Sequence, residues 1–137
     1  MILTRVIKDL LQSRRSGDDR PTERGSTAAP CVLNVGGGGK QIPIPEHYAG
    51  WNHLLLDIDP RGQPDIVCDA RELTKLEGAQ FDAIYCSHNL EHYYRHDGAR
   101  VLQGFLHVLK LDGFAEIRVP DVQSVMRRVV ANAMDIE

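Results

Sequence analysis

Cys31-Val32-Leu33-Asn34-Val35-Gly36-Gly37-Gly38-Gly39-Lys40 is the stretch on which the fold turns. A compact apolar run, CVLNV, is followed at once by four glycines. Without Cβ atoms a backbone can turn sharply and let a ligand approach closely. In a parallel sheet such a loop lies at the C-terminal edge of the strands, where ligands bind. A merely flexible tetraglycine tether would have no reason to start where an apolar strand stops.

Downstream, four more apolar runs are separated by turn residues: HLLLDI (53–58), DIVCD (65–69), FDAIYCS (81–87) and FAEIRVP (114–120). They are mostly unbroken rather than alternating, the pattern of parallel strands covered on both faces. Between and after them lie helical patterns. Asp97 to Leu111 places Val101, Leu102, Phe105, Leu106, Val108 and Leu109 on one side, and Asp112-Gly113 is expected to end that helix as a glycine cap. Gly104 inside it marks close packing. After Pro120, Asp121 reads as an N-cap, and Val122, Val125, Met126, Val129, Val130 and Ala133 form a stripe. This alternation predicts an α/β, doubly wound, Rossmann-like sheet with helices on both faces.

Upstream, Ile2, Leu3, Val6, Ile7, Leu10 and Leu11 recur at helical spacing and predict an amphipathic helix. Ser13 to Pro30, SRRSGDDRPTERGSTAAP, has no apolar periodicity and reads as an exposed flexible linker. Residues 1–30 are therefore set apart from a domain spanning 31–137. The linker mixes arginines with acids, so a solvated tether fits it better than a phosphate grip.

Composition narrows the function. The 137 residues suffice for one domain with a real core, and exclude a large barrel. A net charge of −3 argues against a general grip on nucleic acid. Cys31, Cys68 and Cys86 form no CxxC pair, so neither a zinc ribbon nor a disulfide scaffold is indicated. No apolar run reaches the length of a membrane span, and Arg5, Lys8 and Asp9 interrupt any signal-peptide core. A reducing cytoplasm is the expected compartment.

The glycine loop fails two nucleotide fingerprints. A P-loop needs Ser or Thr after Gly39-Lys40, where Gln41 stands, and a glycine where Asn34 stands. A GxGxxG fingerprint would need a small residue at Gln41 or Ile42. What remains is polar-x-Gly-x-Gly, carried by Asn34, Gly36 and Gly38. The second strand ends in Asp57-Ile58-Asp59, and a carboxylate there can accept both hydroxyls of a ribose held over the loop. The third ends in Asp69-Ala70, and a carboxylate there can accept from an exocyclic amine such as that of adenine. Acids after strands are common turn residues; it is their order behind a glycine loop that is specific.

With these residues in place, residues 31 to about 122 resemble a class I S-adenosylmethionine-dependent methyltransferase, in particular the small ubiquinone-biosynthesis type. The matching stretches are VLNVGGGG, GWNHLLLDIDP, DIVCDARELTKL, FDAIYCSHNLEHYY, VLQGFLHVLKLDG and FAEIRVPDV. The resemblance implies S-adenosylmethionine as cofactor and a strand order of 3-2-1-4-5. It implies cofactor contacts from Asn34, Gly36, Gly37, Gly38, Asp57, Ile58, Asp69, Ala70, Ser87 and His88. Among these the glycines line the methionine moiety, Asp57 holds the ribose, Asp69 and the Ala70 amide meet the adenine, and Ser87 and His88 face the sulfonium. Three departures stand out. Asn34 replaces an acid, Leu111-Asp112-Gly113 stands where Pro-Gly-Gly is usual, and Lys40 to Trp51 is too short and Pro-interrupted for a long first helix. Only Pro45 to Ala49 is expected to be helical.

His88-Asn89-Leu90-Glu91-His92 also spells the H-x-x-E-H of inverted zinc peptidases. On a helix, two histidines four apart can hold one zinc with Glu91 as base. Such an enzyme needs a further carboxylate downstream, and only Glu116, within a strand, and Glu137 follow as glutamates. No metal is therefore assigned. Under the methyltransferase reading His88 and His92 are candidate bases for an acceptor that must lose a proton. For His92, capping of the helix entrance is the plainer role.

The expectation is an S-adenosylmethionine-dependent methyltransferase acting on an unidentified acceptor, small molecule or other. The alternative is a non-catalytic or truncated cofactor-binding module of the same fold. The resembled fold continues with strands 6 and 7, which this chain is expected to lack, leaving the acceptor half reduced or absent. Strand five would then be an edge to be covered by a helix, by a partner in an oligomer, or by a missing segment.

Overall fold

The computed structural model of the protein describes residues 2–7 and 28–132. Five parallel strands form the centre of the sheet: β2 (Cys31–Val35), β3 (Asn52–Asp57), β4 (Ile66–Val67), β5 (Phe81–Ser87) and β6 (Leu109–Pro120). Their order across the sheet, β4-β3-β2-β5-β6, is the expected 3-2-1-4-5.

β1 (Ile2–Ile7) was not expected. It pairs antiparallel with β6, from Ile2 opposite Pro120 to Ile7 opposite Ala115. The predicted N-terminal helix is corrected to a strand over these residues, and Lys8 to Leu11 lie outside the described residues. Ile2, Thr4, Val6 and Ile7 are β-branched and favour an extended chain once a partner strand is present. The edge of β6 is thus covered by the chain's own N-terminal strand, rather than by an oligomer or a missing segment. Ile2–Ile7 also belongs to the same sheet as the rest of the domain. Of the expected linker, residues 13–27 lie outside the described residues, and 28–30 are exposed.

Alternation along each strand divides the core in two. One face carries Leu33, Val35, Leu56, Ile84, Cys86, Ala115 and Ile117. It is covered by α1 (Arg95–Val108) and by a 3₁₀ stretch, Ala70–Lys75. Gly104 is where they meet: a Cβ there would lie 2.6 Å from Leu73 Cβ, the close packing expected of this glycine. On the opposite face Val32, Ala83 and Tyr85 are covered by Tyr48, with Ile44, Trp51 and Phe114 packed around it. The cover is a single 3₁₀ turn, Glu46–Tyr48, in place of an α-helix, because Pro43 and Pro45 leave no room for one. Trp51 stands edge-on to Tyr48 and Phe114, so its part is packing.

The other departures are local. α1 ends at Val108, and Leu109 is already extended, buried and paired with Phe81. Asp112-Gly113 is therefore not a helix cap. It lies in a bulge of β6, since the β5–β6 register jumps from Phe81–Leu109 to Ala83–Phe114. β4 is cut to two residues. Asp65, before it, accepts from Leu55 N (2.7 Å) and from Lys40 Nζ (2.6 Å). α2 (Val122–Asn132) begins as predicted, with Ser124 N donating to Asp121 Oδ1 at 3.0 Å. Its stripe is exposed at Val122, Val125, Met126 and Val130, while Ala133 lies outside the described residues.

Candidate functional site

The site begins at the end of β2. Asn34 is only 3% exposed, and the chain then turns with Gly36 at φ +70° and Gly38 at φ +71°. This is the left-handed region that a side chain rarely adopts. Gly36 N donates to Leu56 O at 2.8 Å, tying the loop to β3. Space is restricted as well, since a Cβ on Gly36 would run into the Asn89 side chain.

Asp57, at the end of β3, organises this loop. Its Oδ2 accepts from Gly38 N (3.0 Å) and its Oδ1 from Asp59 N (2.9 Å). A carboxylate has roughly four acceptor positions, so two of them remain for a ligand. Ile58 beside it is 65% exposed, an apolar platform at the strand tip.

Two hollows flank Gly36. The larger, about 360 Å³, is lined by Asn34, Gly36, Gly37, Gly38, Ser87 and His88, together with Ile42, Pro43, Ile44 and Tyr85. The smaller, about 30 Å³, is lined by Gly36, Asp57, Ile58 and Ala70, together with Val35, Leu56, Cys68, Asn89 and Tyr93. Of the expected cofactor residues, all but Asp69 thus line one hollow or the other.

Asp69 lies outside both and is occupied. Its Oδ1 accepts from the Arg71 backbone N (2.9 Å), and its two oxygens accept from Arg71 Nε and Nη2 at 2.6–3.1 Å. These bonds hold its carboxyl below the ordinary range. His92 lines neither hollow. His88 does, at φ +52°, a strained backbone for a histidine. Its Nδ1 is 3.5 Å from Glu91 Oε1, and its backbone N donates to Arg118 O at 2.9 Å. The H-x-x-E-H residues lie on a 3₁₀ turn, Leu90–His92, preceded by this left-handed residue. They lack the α-helical face that would aim His88 and His92 at one ion. Among the described residues no three metal-ligating side chains gather.

Glu116 was weighed in the sequence only as a zinc ligand, and its real setting needed the tertiary structure. It is 3% exposed and sits beside Tyr85 in the β5–β6 register. Its Oε2 accepts from His47 Nε2 (2.8 Å) and Tyr48 Oη (3.0 Å), and its Oε1 from Arg118 Nε (2.9 Å) and Nη2 (2.8 Å). Burial pushes its pKa up, but Arg118, Tyr48 and His47 outweigh that and hold it below the usual range. The Arg118 guanidinium also lies over the Tyr85 ring, 5.4 Å from its centroid. This network buttresses the wall of the larger hollow. Tyr85, Ile42, Ile44 and Asn89 are further lining residues that sequence reasoning left out. The apolar Ile42-Pro43-Ile44 after the loop was the available sign. Cys86 is buried, and burial pushes its thiol up to about 12, which makes it inert.

A family model described as "Methyltransferase domain" matches residues 33–117. The chain belongs to this methyltransferase family. Its match spans the glycine loop, Asp57, both hollows and Glu116. Solved structures agree in fold. The PH0226 protein from Pyrococcus horikoshii OT3 is 21% identical, with a TM-score of 0.60 over 74% of this chain and 54% of that one. A SAM-dependent methyltransferase from Archaeoglobus fulgidus is 20% identical, with a TM-score of 0.58 over 80% of this chain and 54% of that one. The methyltransferase chain thus spans about half the length of each. No curated protein sequence matches it significantly. The expected doubly wound fold and the expected methyltransferase family stand. The residues fit S-adenosylmethionine, the cofactor that the sequence resemblance implies, in three respects: a cradle at Gly36 that a Cβ would fill, free acceptor positions on Asp57, and an apolar platform at Ile58.

Proposed function

We propose that this chain binds S-adenosylmethionine across Gly36 and transfers its methyl group to an acceptor presented at the larger hollow. The observation that carries this reading is that two hollows meet at Gly36, one roomy and bounded by Asn34, Ser87 and His88 as well as apolar side chains, the other bounded by Asp57, Ile58 and Ala70. In it, Asn34, Gly37, Gly38 and Ser87 surround the amino-acid end, Asp57 takes the ribose hydroxyls, and Ile58 and Ala70 support the base. When bound, the cofactor supplies a methyl carbon made electrophilic by its sulfonium.

The protein's part is alignment and proton removal. Tyr85, backed by Arg118, gives the hollow a firm wall. His88 is half exposed, lines the hollow and is held with its Nδ1 3.5 Å from Glu91 Oε1, so it is the group we assign to take the acceptor's proton. His92 has no part in this reading. The acceptor is a small molecule or a larger partner. The cytoplasm is the compartment we assign, on the three unpaired cysteines. Among the described residues no helix is long and apolar enough to cross a membrane.

Calorimetric titration with S-adenosylhomocysteine tests this. Wild type is expected to bind one equivalent, and Asp57→Ala to bind at least about tenfold more weakly through lost hydroxyl partners. Equal affinities would remove Asp57 from the site, and absence of binding by wild type would remove the reading. Transfer of labelled methyl to candidate acceptors separates the enzyme from a module that binds without turnover.

A further inference from the structure

The glycine loop is clasped by the segment that follows β3. Gly39 N donates to Gly37 O at 2.8 Å, so Gly38, at φ +71°, is the centre of a three-residue turn. Turns of this hand are strained and persist where their surroundings hold them. Gly38 is held on both sides of its backbone. Its N–H donates to Asp57 Oδ2, and its carbonyl lies against Gly62. A Cβ on Gly62 would collide with Gly38 O and stand 3.1 Å from Gly38 C and 3.8 Å from Gly39 Cα. The far end of the loop is tied to the same segment, since Lys40 Nζ donates to Asp65 Oδ1 at 2.6 Å.

A capped turn delivers Gly62 to this place. Asp57 Oδ1 accepts from Asp59 N (2.9 Å), and Asp59 Oδ1 accepts from Arg61 N (2.9 Å). Gln63 N donates to Pro60 O (3.0 Å) and closes the 3₁₀ turn Pro60–Gly62, after which Gln63 at φ +50° leads the chain away. One carboxylate therefore holds the glycine loop on one oxygen and the Pro60 turn on the other, and Gly62 stands where the two meet.

We propose that Gly62 is a positioning residue for the amino-acid end of the cofactor, an inference that rests on the cofactor reading above. Its missing Cβ lets the turn close on Gly38, and that closure fixes the Gly37-Gly38 edge of the larger hollow. A carbon facing the Gly38 oxygen needs a separation of about 3.3 Å. The obstacle is backbone, so no change of rotamer relieves it. Either the glycine loop shifts, or the turn swings away and pulls Asp59 from Asp57. The hollow bounded by Ile58 and Ala70 lies across Gly36 and includes neither Gly38 nor Gly62, so the base is disturbed less than the amino-acid end.

The experiment is calorimetric titration with S-adenosylhomocysteine and with 5′-methylthioadenosine, which keeps base and ribose but lacks the amino-acid end. Wild type, Gly62→Ala and Gly98→Ala are compared, each checked for folding by thermal melting. Gly98 is the control, because a Cβ there meets nothing within 4 Å. Wild type is expected to bind S-adenosylhomocysteine at least about tenfold more tightly than the shorter ligand. Gly62→Ala should weaken S-adenosylhomocysteine at least about tenfold and the shorter ligand by no more than about threefold, while Gly98→Ala should leave both within about twofold. Lost stability alone would leave the ratio of affinities unchanged, since both ligands bind the same folded state. If Gly62→Ala does not fold, Asp59→Ala, which uncaps the turn, takes its place, and the ratio should narrow about threefold or more. An unchanged ratio in the folded variant, equal affinities in wild type, or the same narrowing in Gly98→Ala each overturns the inference. Binding of neither ligand by wild type is a separate result, and it is the cofactor reading that falls.

Discussion

Gly36 is constrained twice over, by a φ of +70° and by the Asn89 side chain that occupies the space a Cβ would need. The first constraint is a matter of backbone sterics and the second of packing across the two hollows. Gly36→Ala is therefore expected to lose about 1–3 kcal/mol of stability and to weaken S-adenosylhomocysteine binding at least about tenfold, as thermal melting and calorimetry would show. The four glycines and Asp57 were legible in the sequence because each leaves a signature of residue type directly after a strand. The engagement of Asp69 was not. Arg71 stands two residues away, and nothing in the order of residues says that its guanidinium turns back on Asp69 rather than out to solvent. Asn89 was hidden for the same reason, because its packing against Gly36 is a property of surroundings.

At the scale of elements, β6 backs the Tyr85 wall of the larger hollow. Its Glu116 collects donors from the 46–48 turn and from its own Arg118, and so fixes the cover of the aromatic face to the sheet. Removing it leaves Arg118 against Tyr85 without its carboxylate. Glu116→Ala is expected to cost about 2 kcal/mol, below the range for fully buried pairs because His47 and Arg118 are partly solvated. Denaturant unfolding measures it. The carboxyl pKa is lower in the folded state than unfolded, so the unfolded chain binds the proton more readily. The stability it contributes is present at neutral pH and is lost as pH falls through the carboxylate range. In the alanine variant that part of the acid dependence should vanish, which unfolding at stepped pH would reveal. A variant with the wild-type acid profile would remove this role for Glu116.

Across the whole molecule, the N-terminal strand decides whether the parallel sheet has a bare flank. β1 gives β6 a full antiparallel partner along six residues. Deletion of residues 1–7 is expected to expose β6 and produce concentration-dependent self-association, visible by sedimentation, with a lowered melting temperature. A deletion variant that stays monomeric and equally stable would show that β1 does not protect this edge.

The strand order came only with the family resemblance that the matching stretches carry. The chain order by itself determined the parallel core, the glycine loop and the aspartate at the tip of β3. These follow from local properties: unbroken apolar runs, residues without a Cβ, and an acid at the end of a strand. Only the tertiary structure decided that Ile2–Ile7 is a strand, since apolar residues at 2, 3, 6 and 7 suit a helix in isolation and a sheet edge when β6 is alongside. The same holds for the end of α1, where Leu109 continues the helical spacing but is drawn into pairing with Phe81. It holds also for Glu116 and Asp69, whose settings depend on which donors reach them. Propensity acts over a few neighbours in sequence, whereas strand pairing and hydrogen-bond satisfaction are settled by groups that meet only when the chain has folded.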